Sequence, residues 1–395
     1  MLLLLCPDYA KIICLWHEQN GKCMLIVAEI YLPSFAAGRL VLTERFFTMK
    51  KKSKAGQTVV RLIDRIFGLF LAAGIVFGIF GLTLEWVLLK GPSPALRDSF
   101  VMTMIWTRRF DFIPNIFLTE SEIEDIYNSH FETNPTGAST DTSLITIAAP
   151  EETDIDLGPQ PDAYGITDED GDGIVILDVK KKGFVGKMMV VYDPSRIIVG
   201  KPEVYGGYGM PLDALCERYG AIGGVNGGAF FDEEGGGTGG WPDGLTISDG
   251  EITMMGHERT FVGFDENNIL VVGDFDAEAA EERHIRCGVS FGPALIINGQ
   301  GEYGGYMESG INPRTAIGQR ADGAVLMLVI DGRQMHSIGA SFGDARDVMI
   351  DFGAVNACNL DGGSSTVMYY NGEYVNSPSS ASGTSRNLPN AFLIK

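Results

Sequence analysis

Three apolar runs in the C-terminal half of this chain end abruptly in polar residues and glycines. Residues 221–225 lead into Asn226-Gly227-Gly228-Ala229-Phe230-Phe231, Val325–Ile330 into Asp331-Gly332-Arg333, and residues 355–360 into Asp361-Gly362-Gly363-Ser364-Ser365-Thr366. A fourth segment, Asn312-Pro313-Arg314-Thr315-Ala316-Ile317-Gly318, sets an arginine beside a β-type run. A carboxylate or amide at a buried strand end is held rigidly and is open to pKa perturbation. Glycines after a strand permit positive φ and let backbone N–H groups come close to a ligand. Any one of these turns alone is an ordinary tight turn. Two aspartates and two arginines among four such places argue for one shared pocket. Guanidinium groups suit bidentate phosphate binding, and an aspartate suits general-base or nucleophilic work.

Other reactive side chains carry weaker patterns. Ser364 and Ser365 would be nucleophiles with His336 or His257 as base, but GGSST is not the strand–turn–helix G-x-S-x-G elbow. His257, His284 and His336 lack metal-ligand spacing, and no Cys/His pattern suggests zinc. Residues 168–173, Asp-Glu-Asp-Gly-Asp-Gly, resemble the first half of a calcium loop. The twelfth position is Val179 where a bidentate Glu is required, so an acidic turn is the better reading. Trp241 and Tyr369 are candidates for stacking on a sugar, the glycine-rich stretch 235–240 for a loop over the pocket, and Ser385-Arg386-Asn387 for a further approach to it.

These loops must hang on a β-rich frame. Short β-branched runs at 174–179, 188–191, 197–199, 245–247, 269–272, 295–297, 325–330 and 392–394 read as strands between Gly, Asp and Asn turns. Helices are expected at Leu212–Tyr219, closed by Gly220, and at 342–352, capped by Ser341 and closed by Gly353. Many strands without βα alternation indicate an α+β domain: a mixed β-sheet core with few helices and Gly-rich active-site loops.

The rest of the chain is differently built. Residues 66–84 contain no charge and span roughly 30 Å as a helix, the thickness of a bilayer's hydrocarbon core. Lys50, Lys51, Lys52, Lys54, Arg61 and Arg65 precede this run. The positive-inside rule therefore puts the N-terminus in the cytoplasm and the body outside. The expected order is a cytoplasmic segment 1–65, a transmembrane helix 66–89, an acidic stalk 90–165 and a body 166–395. Residues 1–48 read as a mis-assigned upstream start, since Met49 precedes three lysines. In the stalk, Ser121 and Glu124 have capping-box spacing for a helix over 121–129. A net charge of −21, from 51 acidic and 30 basic residues, excludes a general nucleic-acid binder. Three cysteines in the body, Cys216, Cys287 and Cys358, allow at most one disulfide, and buried free thiols are expected.

NGGAFFD, NPRTAIG, DGR and NLDGGSST, in that order, resemble the phosphodiester glycosidase (NAGPA-type) family, whose bacterial members include membrane-anchored proteins of the exopolysaccharide type. The resemblance implies hydrolysis of a glycosyl-1-phosphodiester such as an N-acetylglucosamine-1-phosphodiester. It implies site residues at Asn226, Gly227, Gly228, Arg314, Thr315, Asp331, Gly332, Asp361, Gly362 and Gly363. Ala229, Ser364 and Arg333 depart from the family pattern, which bears on the substrate more than on the reaction. Catalytic roles are expected for Asp361, Asp331, Arg314 and Asn226. Substrate contacts are expected from Gly227, Gly228, Thr315, Gly332, Arg333, Gly362, Gly363, Ser364 and Ser365. A departing phosphate monoester is already a stable anion, so a cationic clamp of Arg314 and Arg333 should matter more than a general acid. Asp361 is the preferred base or nucleophile, because its Gly-Gly loop opens towards substrate. The implied partners are a carbohydrate or sugar phosphate and, through one helix, a membrane, with no cofactor and no metal specified. The alternatives are a non-catalytic extracytoplasmic glycan-binding module and a serine-type hydrolase.

Overall fold

The computed structural model describes residues 10–19, 22–30, 47–48, 54–107, 110, 112–131, 140–147, 159–231, 237–256, 260–302, 307 and 310–395. They fall into two compact units, Met1–Val87 and Leu88–Lys395. In the first, strands Ala10–Gln19 and Lys22–Ile30 pair antiparallel, with Phe47–Thr48 on the second of them. The helix Lys54–Lys90 contains a stretch of 26 residues, Arg65–Lys90, whose most apolar 18 residues have a mean hydropathy of 2.3 and are not buried within the protein, while Leu89 near its end is buried. The stretch is long and apolar enough to cross a membrane.

The second unit opens with helices Pro94–Thr107 and Glu120–Phe131, which share a small core of Leu89, Val101, Met102, Leu118 and Ile126. The capping box lies two residues before the expected one. Thr119 N donates to Glu122 Oε2 at 2.8 Å and Glu122 N to Thr119 Oγ1 at 3.2 Å. Both Thr119/Glu122 and Ser121/Glu124 satisfy the spacing, and the ion pair from Lys90 to Glu122 at 2.7 Å favours the first. Residues 140–147 and 159–165, expected in a stalk, are docked on the body. Thr140 Oγ1 donates to Val272 O and accepts from Val272 N, both at 2.8 Å. The buried Arg320 holds Asp162 at 2.8 Å and Asp322 at 2.5 Å, with the Tyr164 ring 4.2 Å from its guanidinium. The body therefore begins before residue 166.

Among the described residues, three sheets make up this body. The seven-stranded sheet runs Gln300–Gly301, Ala294–Ile297, Ala354–Leu360, Arg314–Arg320, Val325–Ile330, Phe184–Val191, Ile174–Lys181. One five-stranded sheet runs Glu373–Tyr374, Met368–Tyr370, Gly223–Asn226, Ala391–Ile394, Ile197–Gly200. The other runs Leu270–Asp274, Thr260–Asp265, Ile285–Phe291, Thr246–Ser248, Glu251–Met254. Sheets dominate and helices are few. The expected mixed pairing narrows to antiparallel in every described ladder of these sheets. The largest apolar cluster draws on all three sheets, including Met189, Val225, Phe264, Val289, Met327, Leu360 and Phe392. The opposite face of the seven-stranded sheet is covered by the helix Phe342–Asp351, whose N-terminus carries a full Ser341/Asp344 capping box. The helix Leu212–Tyr219 covers the Ala391–Ile394 side and ends at Gly220 in the left-handed region, as its sequence requires.

Candidate active site

Antiparallel register brings the polar loops to one sheet end. Arg314 lies opposite Ile330, and Thr315 opposite both Val329 and Leu360. The start of one strand and the ends of its two neighbours thus coincide, so the Asn312-Pro313, Asp331-Gly332-Arg333 and Asp361-Gly362-Gly363 segments meet. Two glycines allow this approach. A Cβ on Gly332 would lie 2.7 Å from Pro313 N, and one on Gly362 would lie 2.7 Å from Pro313 O. Their role is to admit a neighbouring backbone rather than to reach positive φ.

The Asn226 loop comes from a different sheet and is tied in by its side chain. The fully buried Asn226 donates from Nδ2 to Asp361 O at 2.6 Å. Its Oδ1 accepts from Thr315 Oγ1 at 2.7 Å and from Val367 N at 3.1 Å. Thr315, expected to touch substrate, is instead fully buried and spends its hydroxyl on this bracket. Gly227 N donates to Asn390 O at 3.1 Å and Gly228 N to Asn390 Oδ1 at 2.7 Å. The two amides expected to meet phosphate or sugar are thereby committed to Asn390, an anchor that the sequence reading missed. Asn390 stands in the turn before the last strand and no motif marks it.

Arg314 is also placed differently from expectation. Its guanidinium is buried and stacks 3.7 Å from the Phe342 ring centroid, with Nε donating to Ala340 O at 2.9 Å and Nη2 to Gly310 O. Those acceptors satisfy a buried cation and brace the loop before the strand. Arg333 is exposed, at φ 59, with Nη2 donating to Asn312 Oδ1 at 2.9 Å. A Cβ on Gly363 would lie 3.1 Å from Arg333 Nη2, so this guanidinium covers the Gly362–Ser364 turn. Arg386 Nη1 donates to Ser364 Oγ at 3.2 Å and Nη2 to Gly237 O at 3.0 Å, over the Phe230 ring at 4.7 Å. Two arginines, Arg333 and Arg386, therefore flank the turn that follows Asp361.

Asp331 is buried and heavily bonded. Its Oδ1 accepts from Asn376 Nδ2 and Ser377 N, each at 3.0 Å, and its Oδ2 lies 3.6 Å from Nε2 of the half-exposed His336. The carboxylate joins the 331–337 turn to residues 376–377. Around Asp361, which is partly exposed, several polar atoms are buried without a partner: Asn312 Nδ2, Ser365 Oγ and Thr366 Oγ1. Buried polar atoms of this kind also occur elsewhere among the described residues, at Glu85, Asp213 and Arg286. His257 and residues 235–236 lie outside the described residues, while Gly237–Gly240 is woven into the fold through Gly206 N donating to Gly240 O at 2.8 Å and Gly209 N to Thr238 O at 3.0 Å. Tyr369 lines a groove of 380 Å³ with Asp213, Glu217 and Asn371, beside the helix Leu212–Tyr219. Asp168, Asp170 and Asp172 bring carboxylate oxygens within 4.8 Å, and Asp168 accepts from Gly171 N and Gly173 N, forming the expected acidic turn.

Residues 219–395 match the family model NAGPA, phosphodiester glycosidase. That span holds all four loops just described. A stretch of 140 residues is 29% identical to the SPbeta prophage-derived uncharacterized protein YomE of Bacillus subtilis (strain 168). The stretch covers 34% of this chain and 22% of that protein, so the chain spans about a fifth of the length of this curated relative. Among solved structures, the zebrafish N-acetylglucosamine-1-phosphodiester alpha-N-acetylglucosaminidase (NAGPA) catalytic domain, auto-inhibited by its pro-peptide, is similar at 22% identity and TM-score 0.48, covering 56% of this chain and 81% of that one. A putative exported protein from Burkholderia pseudomallei K96243 is similar at 19% identity and TM-score 0.42, covering 53% and 74%.

The segment that matches this family model does not stand alone. Its seven-stranded sheet is completed by Phe184–Val191 and Ile174–Lys181, and one five-stranded sheet by Ile197–Gly200, all before residue 219.

Proposed function

We propose that the body hydrolyses a glycosyl-1-phosphodiester at the C1–O bond, with Asp361 acting on the anomeric carbon and Arg333 and Arg386 holding the phosphate. The family match over 219–395 supports the reaction class. The observation that carries the assignment of residues is the convergence of Arg333 and Arg386 on the turn after Asp361. A dianionic monoester departs without protonation, so two guanidinium groups held at the leaving side lower the barrier directly. Arg314 is reassigned from clamp to brace, since its donors are turned to Ala340 and Gly310 carbonyls. Asn226 fixes the Asp361 backbone through Nδ2, and Gly362, Gly363, Ser364 and Ser365 form the turn that substrate meets. Asp331 with His336 supports the neighbouring wall. The Arg65–Lys90 helix would anchor the chain, with the lysine-rich flank cytoplasmic and the body outside, facing a cell-envelope glycan.

The test is direct. The full chain in detergent is incubated with a panel of glycosyl-1-phosphodiesters, and release of free sugar and phosphate monoester is measured for wild type and Asp361→Asn. Sugar release that Asp361→Asn abolishes supports the reading, and no release from any diester overturns it.

A further inference from the structure

The corner where Arg386 meets Ser364 continues into a surface that the proposed reaction at Asp361 leaves unused. Gly237, whose carbonyl accepts from Arg386, opens a segment ending at Trp241, and Trp241 is 51% exposed. Tyr208 is 73% exposed and Phe231 53% exposed. These aromatics are bonded into one framework. Phe231 N donates to Trp241 O at 3.0 Å, Tyr208 bridges to Gly239, and the strands are closed by Met210 and Leu388 exchanging N–H and C=O at 3.0 and 2.9 Å. Gly206, at φ 105, makes room for the indole: a Cβ there would lie 3.1 Å from Trp241 Cζ2. The rings are therefore carried on a hydrogen-bonded backbone joined to the site through Arg386, with Trp241 packed close to Gly206 and the Trp241 and Tyr208 side chains largely in water.

We propose that Trp241 and Tyr208 form a sugar-stacking platform that binds a further pyranose unit of the substrate, so that the preferred substrate is a phosphodiester within or at the end of a glycan chain. The inference rests on the phosphodiester reading for the neighbouring site. Trp and Tyr combine a broad apolar face with a polar edge, which matches the apolar C–H face and hydroxyl rim of a pyranose. Exposed aromatics of this size, held on a hydrogen-bonded backbone that Arg386 joins to the Ser364 turn, mark a binding surface rather than a core. Arg386 couples the two places, since one guanidinium bonds both the Ser364 turn and the Gly237 carbonyl at the root of the Trp241 segment. A chain lying across the platform would reach the Gly362–Ser364 turn with its phosphate.

Two measurements on the full chain in detergent test this. The first compares KM and kcat for a minimal diester, N-acetylglucosamine-1-phosphomethyl ester, with those for a diester carrying a tetrasaccharide. The second is affinity electrophoresis in gels containing a neutral hexosamine polymer, which reads binding without hydrolysis. Trp241→Ala and Tyr208→Ala should each raise KM for the tetrasaccharide substrate about tenfold, leave the minimal diester unchanged, and weaken retardation in the gel. Trp241→Phe should restore most of the effect, which a loss of folding would not allow. Equal effects on both diesters, or no effect on either, would overturn the platform. So would absence of retardation for wild type. If wild type cleaves no diester yet its retardation depends on Trp241, the platform stands and the hydrolase reading fails.

Discussion

Asn226 Nδ2 donates to the carbonyl of Asp361 at 2.6 Å, so an amide from one sheet holds the main chain at the end of a strand in another. Its oxygen serves Thr315 and Val367 at the same time. This amide has donor and acceptor ends that no isosteric residue supplies together.

Replacing Asn226 with Leu should leave the Thr315 hydroxyl, the Val367 N–H and the Asp361 carbonyl unpaired in a fully buried place. The expected loss is about 3 kcal/mol, read as a lower midpoint in denaturant titration at unchanged slope. Thr315→Val removes one donor of the three and should cost about 1 kcal/mol. A smaller effect from Asn226→Leu than from Thr315→Val would contradict the bracket.

Arg333 and Arg386 flank the turn after Asp361, whereas Arg314 is turned to carbonyls and Phe342. Arg333→Ala and Arg386→Ala should each lower kcat about 10²-fold while melting temperature stays near wild type. Arg314→Ala should instead lower the melting temperature, because it strips a buried stack and leaves carbonyls unpaired. Thermal melts beside steady-state kinetics separate the two classes.

Asp331 accepts from Asn376 and Ser377 on one oxygen, with His336 at 3.6 Å from the other. Asp331→Asn keeps the shape but sets an amide against donors. We expect it to lose stability and retain measurable turnover, while Asp361→Asn keeps stability and loses about 10²–10⁴ in rate. Reversal of that order would make Asp331 the reacting carboxylate.

Acid should loosen the strap at residues 159–166. Burial raises the Asp162 pKa, but hydrogen bonds from Ile166 N, Arg320, Tyr164 N and Tyr192 outweigh it, and the net shift is downward from 3.8. A depressed carboxylate contributes its stability in full above its unfolded value and loses it as pH falls through the folded value. Wild type should therefore lose this contribution below about pH 4, and Asp162→Asn should be less stable at neutral pH but flatter in that range. Denaturation midpoints between pH 2 and 7 for the two proteins check it.

Burial pushes the Cys216 thiol up to about 12 and the Cys287 thiol up to about 11, and raises Cys358 as well. All three are free and buried, as the odd cysteine number led us to expect. Iodoacetamide at pH 8.5 should label none of the three in the native protein and all three in guanidinium. Native labelling of Cys287, which lies in the shared core of the three sheets, would contradict that core.

Residues with a local signature were legible from the chain alone. Gly220 stops its helix, Ser341 caps the helix Phe342–Asp351, and the unbroken Val325–Ile330 run is a strand with the bounds read from the sequence. Among the strands that escaped, Thr260–Asp265 and Ile285–Phe291 each carry a glycine that weakens the β pattern. Gly263 and Gly288 face each other across the ladder, and the Phe261 ring lies over both, leaving room for no Cβ. Phe261 stands in the same strand as Gly263, but the pairing that sets Gly288 against its ring comes from a strand further along the chain, so no single window displays it.

The same division runs through the site. Strand-to-glycine transitions at 226, 331 and 361 are local in the chain, and the sequence by itself determined that these loops exist and that an apolar helix precedes them. It could not determine which way each side chain is used. Asn390 takes the Gly227 amide and, from 162 residues away, the Gly228 amide, Phe342 and Ala340 take Arg314, and Arg386 reaches Ser364 from beyond both. Those partners are set by antiparallel register and by backbones that touch only where glycine leaves space. That is a property of three packed sheets, and it exists only once they have packed.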